Sequence, residues 1–392
     1  MTNGVDRVVV AGAGIAGLAM ARALHRRGIP VLVLDRLPGP PDAGLGLNLT
    51  GNAVRAFRAL GIGEELGGLG TPIRRREYRT DRDRELFAVD ESAFWSDGDG
   101  SRCVRRQDLL DALGDGLPAG TVRWNATVTA IEPTATGLEV RLDDGTVESG
   151  GFVVGADGVH STVRAHAFGD ASGGSDRRTA LLSAASWRFM TTDPGVACWT
   201  VWTGAQGTFL LIPVGGGEVY GFASATRGGP VVADPEWLRT TFASFPDPVP
   251  RVVDGVLDVG VDVGVGGGET GAGPSSLYHS PIEEVRIPQW SSGRTVLIGD
   301  AAHATAPVWA QGAAMAAEDA LVLAELLAEN GDWDQVGIRY ERRRRPRVEH
   351  VQTMTDRLSK TAALPIWLRN LLVPRLGPRS YQETYEPLRT LP

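Results

Sequence analysis

A glycine-rich loop between a short apolar strand and a helix constrains the fold at the start of the chain. Residues 8–10 are all valine and lead directly into Gly12-Ala-Gly14-Ile-Ala-Gly17. Residues 18–27 then read as a helix, and residues 30–34 as a second buried strand. Strand, glycine loop, helix and strand in this order predict a parallel βαβ unit and therefore an α/β architecture at this end.

Each glycine of this loop suits contact with a dinucleotide. Gly12 permits the tight turn, Gly14 lets the backbone approach a pyrophosphate, and Gly17 lets the helix pack close to the strand. Asp35 ends the second strand, where it can accept hydrogen bonds from ribose hydroxyls. Arg36 beside it is also compatible with a 2′-phosphate. The spacing predicts dinucleotide binding but does not separate FAD from NAD(P).

Composition narrows the class of protein. The chain has 392 residues, 42% of them hydrophobic, and a net charge of −8, which argues against nucleic acid or an anionic membrane as the main partner. Only two cysteines occur, without a CxxC, so neither a disulfide framework nor a metal site is expected. No signal peptide or membrane-length apolar stretch is visible, which predicts a cytoplasmic protein. The arginine run at residues 342–345, with Arg347, is expected to be a solvated helix face.

The pattern changes twice along the chain. Residues 73–89 suggest a strand pair, and short strands between residues 178 and 290 suggest a mostly β region, with residues 255–273 irregular. Helices are expected at about 312–329 and 334–360, with a shorter one at 365–373. We therefore predict an α/β fold with an added β domain: a discontinuous Rossmann-type cofactor domain with an inserted, mostly β substrate domain and C-terminal helices. The predicted boundaries are 1–72, 101–177 and 291–360 for the cofactor domain, 73–100 and 178–290 for the substrate domain, and 361–392 for a helical tail.

Two further motifs follow in order. The first is Gly155-Ala-Asp157-Gly158-Val-His-Ser-x-x-Arg164, and the second is Gly299-Asp300-Ala-Ala-His. Together with the N-terminal loop they resemble the three fingerprints of the class A flavoprotein monooxygenases, the aromatic hydroxylase family of p-hydroxybenzoate, salicylate and urate hydroxylases. Residues 178–290 resemble that family only in their general pattern of short strands and not in any specific motif. The resemblance implies that the dinucleotide is FAD.

The resemblance also implies roles for individual residues. Asp35 would hold the adenosine ribose, Arg106 the pyrophosphate or ribityl region, and Asp300 the ribityl hydroxyls, while Asp157 would serve both FAD and NAD(P)H. A helix N-terminus at Gln311 and Gly312 would stabilise negative charge on the reduced flavin. The predicted FAD-binding residues are Gly12, Gly14, Ile15, Ala16, Gly17, Asp35, Arg36, Gly46, Leu47, Arg106, Val128, Asp157, Gly158, Asp300, Pro307, Gln311, Gly312 and Ala313.

Some of these residues have alternative roles, and two positions differ from the family pattern. Asp300 also suits a helix cap and Asp157 a turn. Many relatives have glycine where this chain has Ala310, and asparagine where it has Ala314, which puts the shape of the substrate face in doubt. Trp309 either lines the pocket or packs in the core.

Candidate substrate contacts lie in the β region. Trp187-Arg188 resembles a Trp-Arg or Tyr-Arg pair of urate and salicylate hydroxylases, so Arg188 is expected to face an anionic or carbonyl-bearing substrate, unless it is a surface arginine. Phe209, Leu211 and Phe222 are candidates for an apolar wall, with core packing as the alternative.

The resemblance implies an FAD- and NAD(P)H-dependent monooxygenase. It would insert one oxygen atom from O2 into a small aromatic or other electron-rich substrate through a flavin C4a-hydroperoxide, in secondary-metabolite tailoring or aromatic catabolism. NAD(P)H would bind transiently, since no second glycine fingerprint exists. The alternatives are epoxidation, Baeyer–Villiger insertion, or a flavoprotein that has lost oxygenase activity. The partners expected are the substrate and O2, with the protein a monomer or homodimer.

Overall fold

The computed structural model describes residues 7–40, 45–95, 99–168, 179–183, 186–225, 234–258, 264–265, 277–329, 332–362 and 364–392. The strands are β1 (Val8–Ala11), β2 (Val31–Leu34), β3 (Gly46–Leu49), β4 (Thr71–Pro72), β5 (Arg75–Thr80), β6 (Glu85–Asp90), β7 (Arg102–Arg105), β8 (Val122–Arg123), β9 (Val128–Pro133), β10 (Leu138–Leu142), β11 (Val147–Gly150), β12 (Phe152–Gly155), β13 (Thr179–Ser183), β14 (Ser186–Thr192), β15 (Trp199–Thr203), β16 (Gly207–Gly215), β17 (Glu218–Ala225), β18 (Gly264–Val265), β19 (Tyr278–His279), β20 (Ile282–Val285), β21 (Ser291–Ser292) and β22 (Thr295–Leu297). The α-helices are α1 (Ile15–His25), α2 (Gly51–Phe57), α3 (Gly63–Gly68), α4 (Glu91–Phe94), α5 (Arg106–Gly114), α6 (Thr162–Phe168), α7 (Glu236–Phe242), α8 (Val249–Asp258), α9 (Asp300–His303), α10 (Gly312–Ala328), α11 (Val336–Ala362) and α12 (Ile366–Tyr385).

A six-stranded sheet carries the N-terminal βαβ unit. Its order is β21-β22-β12-β1-β2-β8, and only β21 runs antiparallel to its neighbour. The three valines of β1 are fully buried because both faces of this strand are covered, as the continuous apolar run predicts. The carboxyl ends of β1, β2, β12 and β22 therefore lie at one edge of the sheet, and each of the three sequence motifs begins at this edge.

An eight-stranded sheet holds most of the β region, in the order β18-β19-β14-β17-β16-β15-β5-β6. The strand pair predicted near residues 73–89 joins this sheet, since β5 runs parallel to β15. One face of the sheet packs on α7 and α8 and forms a separate apolar core that includes Trp187 and Phe242. Strands β5 and β6 thus join the same sheet as strands that lie more than 90 residues later in the chain. The predicted domain boundaries stay a prediction.

The helical regions differ from the prediction in two places. Helix α12 spans 20 residues rather than ending near residue 373, and it continues through Pro374 and Pro378. Helix α8 covers the start of the stretch expected to be irregular, and the rest of that stretch lies largely outside the described residues. Within the described part of the chain, no helix has both the length and the apolar character needed to cross a membrane.

Candidate functional site

One cavity of about 1350 Å³ is lined by the motif edge of the six-stranded sheet and by one face of the eight-stranded sheet. The predicted FAD-binding residues that line it are Gly12, Gly14, Ile15, Ala16, Asp35, Arg36, Gly46, Leu47, Arg106, Val128, Asp157, Gly158, Asp300, Pro307, Gly312 and Ala313. Gly17 and Gln311 do not line it. The sequence motifs therefore converge on one continuous space.

The glycine loop is shaped by close backbone approaches. Gly12 has a φ of 101°, and a Cβ there would overlap the carbonyl oxygen of Ala156. A Cβ at Gly17 would overlap the carbonyl oxygen of Gly12, so Gly17 packs the helix rather than lining the cavity. Gly14, in contrast, has no atom within 4 Å of the position of a Cβ, and this N-cap of α1 has no side-chain cap. The open space at a helix N-terminus fits the pyrophosphate of a dinucleotide.

Asp35 fixes the glycine loop to the end of β2. One carboxylate oxygen accepts a hydrogen bond from the backbone N–H of Ala13 at 2.6 Å, and the other accepts from the N–H of Leu37 at 2.8 Å. The side chain still lines the cavity, and each oxygen has further acceptor capacity. A ribose contact is therefore compatible with its position and stays a prediction.

Asp157 acts locally as a helix cap. Its carboxylate accepts hydrogen bonds from the backbone N–H groups of Thr162 at 2.7 Å and Val163 at 3.0 Å, and from the Ser161 hydroxyl at 2.5 Å. Arg164 of the same motif donates to the carbonyl oxygen of Ala301 at 2.8 Å. Arg164 thereby joins the second motif to the third.

The Gly299-Asp300 motif is held by a side chain of α10. The backbone N–H of Gly299 donates to Asp319 Oδ2 at 2.9 Å, and Asp300 begins α9 while lining the cavity. The first turn of α10 borders the same space through Gly312 and Ala313. The N-cap of α10 has no side-chain cap either, so its N–H groups suit a ligand that carries negative charge.

Gln311 does not border the cofactor space with its side chain, which corrects the prediction. The side chain is buried and donates to Thr50 Oγ1 at 3.0 Å, while Asn52 donates to it at 2.9 Å. An amide offers two donors and an acceptor, and these partners lie inside the protein. Gln311 therefore joins α10 to the start of α2, and only its backbone remains near the predicted flavin position.

A buried ion network lies behind α10. Arg344 is fully buried and donates to Asp319 at 2.7 Å and to Glu318 at 2.8 Å. His303 is also buried, 2.7 Å from Asp319. Burial alone would raise the pKa of the Asp319 carboxyl, but the neighbouring His303 and Arg344 outweigh it and lower this pKa to about 2. The expectation that the arginine run is a solvated face is wrong for Arg344.

One face of the eight-stranded sheet forms the other wall of the cavity. A row of registered neighbours crosses it: Arg188, Phe222, Leu210, Val201, Tyr78 and Phe87. Arg188 and Phe222 are thus placed on the cavity, as the predicted substrate role requires.

Phe209 and Leu211 do not line this cavity. Both are fully buried against α7 and α8 on the opposite face of the sheet. Successive side chains of a strand point to opposite faces, so Leu210 and Ile212 take the cavity positions instead. The sequence pattern did not show which alternate residues of β16 face the cavity, because both faces of this strand are apolar.

Trp309 and Ala310 form the turn before α10. Trp309 both packs and lines the cavity: its ring meets that of Tyr385 edge-on at 5.8 Å, and its carbonyl oxygen accepts from the Tyr385 hydroxyl at 2.7 Å. Ala310 has a left-handed backbone, with φ 51° and ψ 41°. A glycine at this position would adopt the same conformation without strain.

We expect Ala310→Gly to raise the free energy of unfolding by about 0.5–1 kcal/mol, since relief of left-handed strain exceeds the added entropy of the unfolded chain. Urea denaturation followed by circular dichroism measures this change. Ala165→Gly, at an exposed position in α6, is the matched control and should lower stability by about 1 kcal/mol. A loss at Ala310 similar to that at Ala165 would contradict the strain argument.

Several cavity residues were not among the sequence candidates. They are Arg76 and Tyr78 on β5, Trp199 on β15, and Arg369 and Tyr381 on α12. Arg76 and Tyr78 are two positions apart on a strand and therefore lie on the same face. This spacing is the only local signal that could have predicted that both line one cavity. The α12 contribution has no such signal, because it depends on how the C-terminal helix packs against β6.

The described residues contain no group of three or more His, Cys, Asp or Glu side chains suited to a metal ion. Cys103 and Cys198 are free cysteines, and burial raises the pKa of the Cys103 thiol to about 12, which keeps this thiol protonated.

Comparison with known proteins identifies the family. The family model described as FAD binding domain matches residues 6–227 and 270–355. The 3-amino-4-hydroxybenzoate 2-monooxygenase PtmB3 of Streptomyces platensis is 32% identical, over 90% of this chain and 87% of that protein. The 3-hydroxybenzoate 6-hydroxylase 1 of Aquipseudomonas alcaligenes is 30% identical, over 89% of this chain and 87% of that protein.

Solved structures agree on the fold. Klebsiella pneumoniae HpxO complexed with FAD and uric acid gives a TM-score of 0.79 at 24% identity, covering 98% of this chain and 94% of that chain. The FAD-binding fold and the C-terminal helices are thus confirmed, as is the predicted family. The chain belongs to the class A flavoprotein monooxygenases, the FAD-dependent aromatic hydroxylases, and FAD is its cofactor.

Proposed function

We propose that this protein uses NAD(P)H and O2 to insert one oxygen atom into a small aromatic or other electron-rich substrate. The observation that carries the proposal is the cavity itself, in which the glycine loop, the first turn of α10 and an apolar sheet face with Arg188 all meet. Bound FAD supplies the redox chemistry, with NAD(P)H as a transient reductant. No residue of the chain then needs to act as a nucleophile.

The chain's own residues bind, orient and exclude water. Gly14 and the start of α1 suit the pyrophosphate, and Asp35 and Arg36 suit the adenosine end. The start of α10, at Gly312, presents uncapped N–H groups that can stabilise negative charge on the reduced ring. The apolar residues of the row that begins at Phe222 keep the reacting carbon of the substrate away from bulk water.

Arg188 supports an acidic or carbonyl-bearing substrate. It donates to Ser280 Oγ at 3.1 Å and lies 6.0 Å from the Phe222 ring centroid. Among the described residues these contacts are with neutral groups, and Arg188 lines the cavity, so its charge is available to a ligand there. An aromatic ring with one acidic substituent would satisfy both the arginine and the apolar row.

A screen of FAD-loaded protein against phenols, aromatic acids, polyketides and nitrogen heterocycles tests this function. We expect at least one class to stimulate NADH or NADPH oxidation, with ¹⁸O from ¹⁸O2 appearing in the product. Substrate-stimulated oxidation that yields only hydrogen peroxide would count against oxygen insertion. An epoxide as product would show that the protein is an oxygenase that epoxidises its substrate. A ring-expanded ester or lactone would show Baeyer–Villiger insertion instead of hydroxylation.

A further inference from the structure

A buried polar cluster lies at the α12 side of the cavity. Arg76 on β5 is 2% exposed and forms an ion pair with Glu91, which is fully buried. Ser101 Oγ and the Tyr381 hydroxyl each donate to Glu91 at 2.5 Å. The negative charge of Glu91 is therefore balanced by one arginine and two hydroxyl donors, and the cluster as a whole carries no net charge.

Arg76 Nε faces Glu91, and two further buried donors of this cluster have no hydrogen-bond partner within the described residues. They are Arg76 Nη2 and Trp199 Nε1, both buried and both on side chains that line the cavity. Arg76 and Trp199 are registered neighbours on β5 and β15, and the guanidinium carbon lies 5.2 Å from the Trp199 ring centroid. A buried donor without an acceptor is unfavourable, so two of them side by side on a cavity indicate an acceptor that comes from a ligand.

We propose that Arg76 and Trp199 together bind a neutral acceptor oxygen of the substrate, a carbonyl or hydroxyl group. The proposal deepens the function above and rests on it only in taking the ligand to be the substrate. A carboxylate at this place would add an uncompensated charge beside Glu91, because Arg76 is already paired. A carbonyl or hydroxyl oxygen satisfies the same donors without adding charge.

Arg188 and Arg76 then define opposite ends of the ligand. Both lie on the cavity face of the same sheet, with β17, β16 and β15 between their strands. Four spacings of about 4.8 Å place their backbones roughly 19 Å apart. The ligand class is therefore an extended, fused aromatic compound with an acidic group at one end and a neutral oxygen at the other.

Three naphthalene probes test this pattern with FAD-loaded protein, without NAD(P)H, so that binding and not turnover is measured. They are 2-naphthoate, 6-acetyl-2-naphthoate and naphthalene-2,6-dicarboxylate, titrated by flavin fluorescence or calorimetry. We expect the acetyl compound to bind at least about 10-fold more tightly than 2-naphthoate, since it satisfies donors that are otherwise unpaired. The dicarboxylate should bind no more tightly than 2-naphthoate.

Conservative variants assign this preference to the two residues. Trp199→Phe removes Nε1 but keeps a ring beside Arg76, and Arg76→Lys keeps a cation beside Glu91 but removes Nη2. Each should reduce the preference to about 2-fold or less. Trp187→Phe is the matched control, because Trp187 Nε1 is also buried without a partner in the described structure but lies in the core on the opposite face; it should retain the full preference.

The proposal is overturned if none of the probes binds, if wild type shows no preference for the acetyl compound, if the dicarboxylate binds most tightly, or if the preference survives in both cavity variants. Failure of the monooxygenase function gives a different result, namely the expected probe preferences without any substrate-stimulated NAD(P)H oxidation in the screen above. The two proposals therefore fail independently.

Discussion

Replacing Arg344 by methionine is expected to lower the free energy of unfolding by about 3–5 kcal/mol, because a buried ion network then loses its cation. The methionine side chain fills much of the space but leaves Glu318 and Asp319 buried without their shared cation. Arg347 still reaches Glu318, at 2.7 Å, so the loss falls mainly on Asp319. Urea denaturation followed by circular dichroism and tryptophan fluorescence gives the change.

Arg343→Met is the control, one residue earlier on the same helix. Arg343 pairs with Glu325 at the surface, with both side chains more than a third exposed, so its removal should change stability by no more than about 0.5 kcal/mol. Equal effects of the two substitutions would show that burial of the ion network does not determine its contribution. Arg344→Met combined with Asp319→Asn should recover part of the loss, because Asp319 is the carboxylate that Arg347 does not reach, and its charge is then removed.

This network also connects stability to the cofactor site. Asp319 accepts from Arg344 through one oxygen and from the N–H of Gly299 through the other. Loss of Arg344 therefore removes one of the contacts that hold this carboxylate, which fixes the turn before Asp300, and leaves His303 and the Gly299 N–H as its partners. We expect the Arg344 variant to release FAD more readily than the Arg343 variant does.

The sequence predicted the cofactor edge of the sheet because its determinants are local. The glycines at positions 12 and 14, the acidic residue at 35 and the motif at 299–300 each follow directly from a short buried strand. Parallel strands bring such positions to one edge whatever the rest of the chain does. The structure accordingly places Gly12, Gly14, Asp35 and Asp300 on one cavity.

The substrate wall was less predictable because it depends on which face of a strand turns inward. In β16 the run Phe209-Leu-Leu-Ile212 is apolar on both faces, so alternation alone does not identify the cavity side. Only the pairing with β15 and β17, and the packing of α7 and α8, decides that Phe209 lies in the core. Local sequence does not contain these contacts.

Long-range partners explain the remaining differences. A run of arginines is usually solvated, and Arg344 is buried only because α10 supplies Glu318 and Asp319 some 25 residues earlier in the chain. Helix α12 continues through Pro374 and Pro378, although proline usually ends a helix. In the structure this helix packs against β6, where Gly377 allows close approach of Phe87, and it closes one side of the cavity.

A valine at Gly14 is expected to abolish tight FAD binding while leaving the fold intact. The backbone there is extended, with φ −74°, and no atom lies within 4 Å of an added Cβ, so the protein tolerates the side chain. The same side chain would occupy the space into which the pyrophosphate must approach the helix N-terminus. Loss of two charge-assisted hydrogen bonds at roughly 1.5–3 kcal/mol each corresponds to at least about 100-fold weaker binding.

Titration of the apoprotein with FAD, followed by quenching of flavin fluorescence, measures this loss, and urea denaturation of the apoprotein checks the fold. Gly67→Val is the control: Gly67 is an exposed glycine of α3 that also has nothing within 4 Å of an added Cβ, but it lies away from the cavity. Gly17→Val should instead prevent folding, since its Cβ would overlap the carbonyl oxygen of Gly12. The three glycines thus separate two requirements that the motif combines: Gly17 is needed for the helix to pack, and Gly14 is needed for the ligand to approach. Retention of normal FAD affinity in Gly14→Val would mean that the pyrophosphate does not lie at the start of α1. The proposed position of FAD in the cavity would then be wrong.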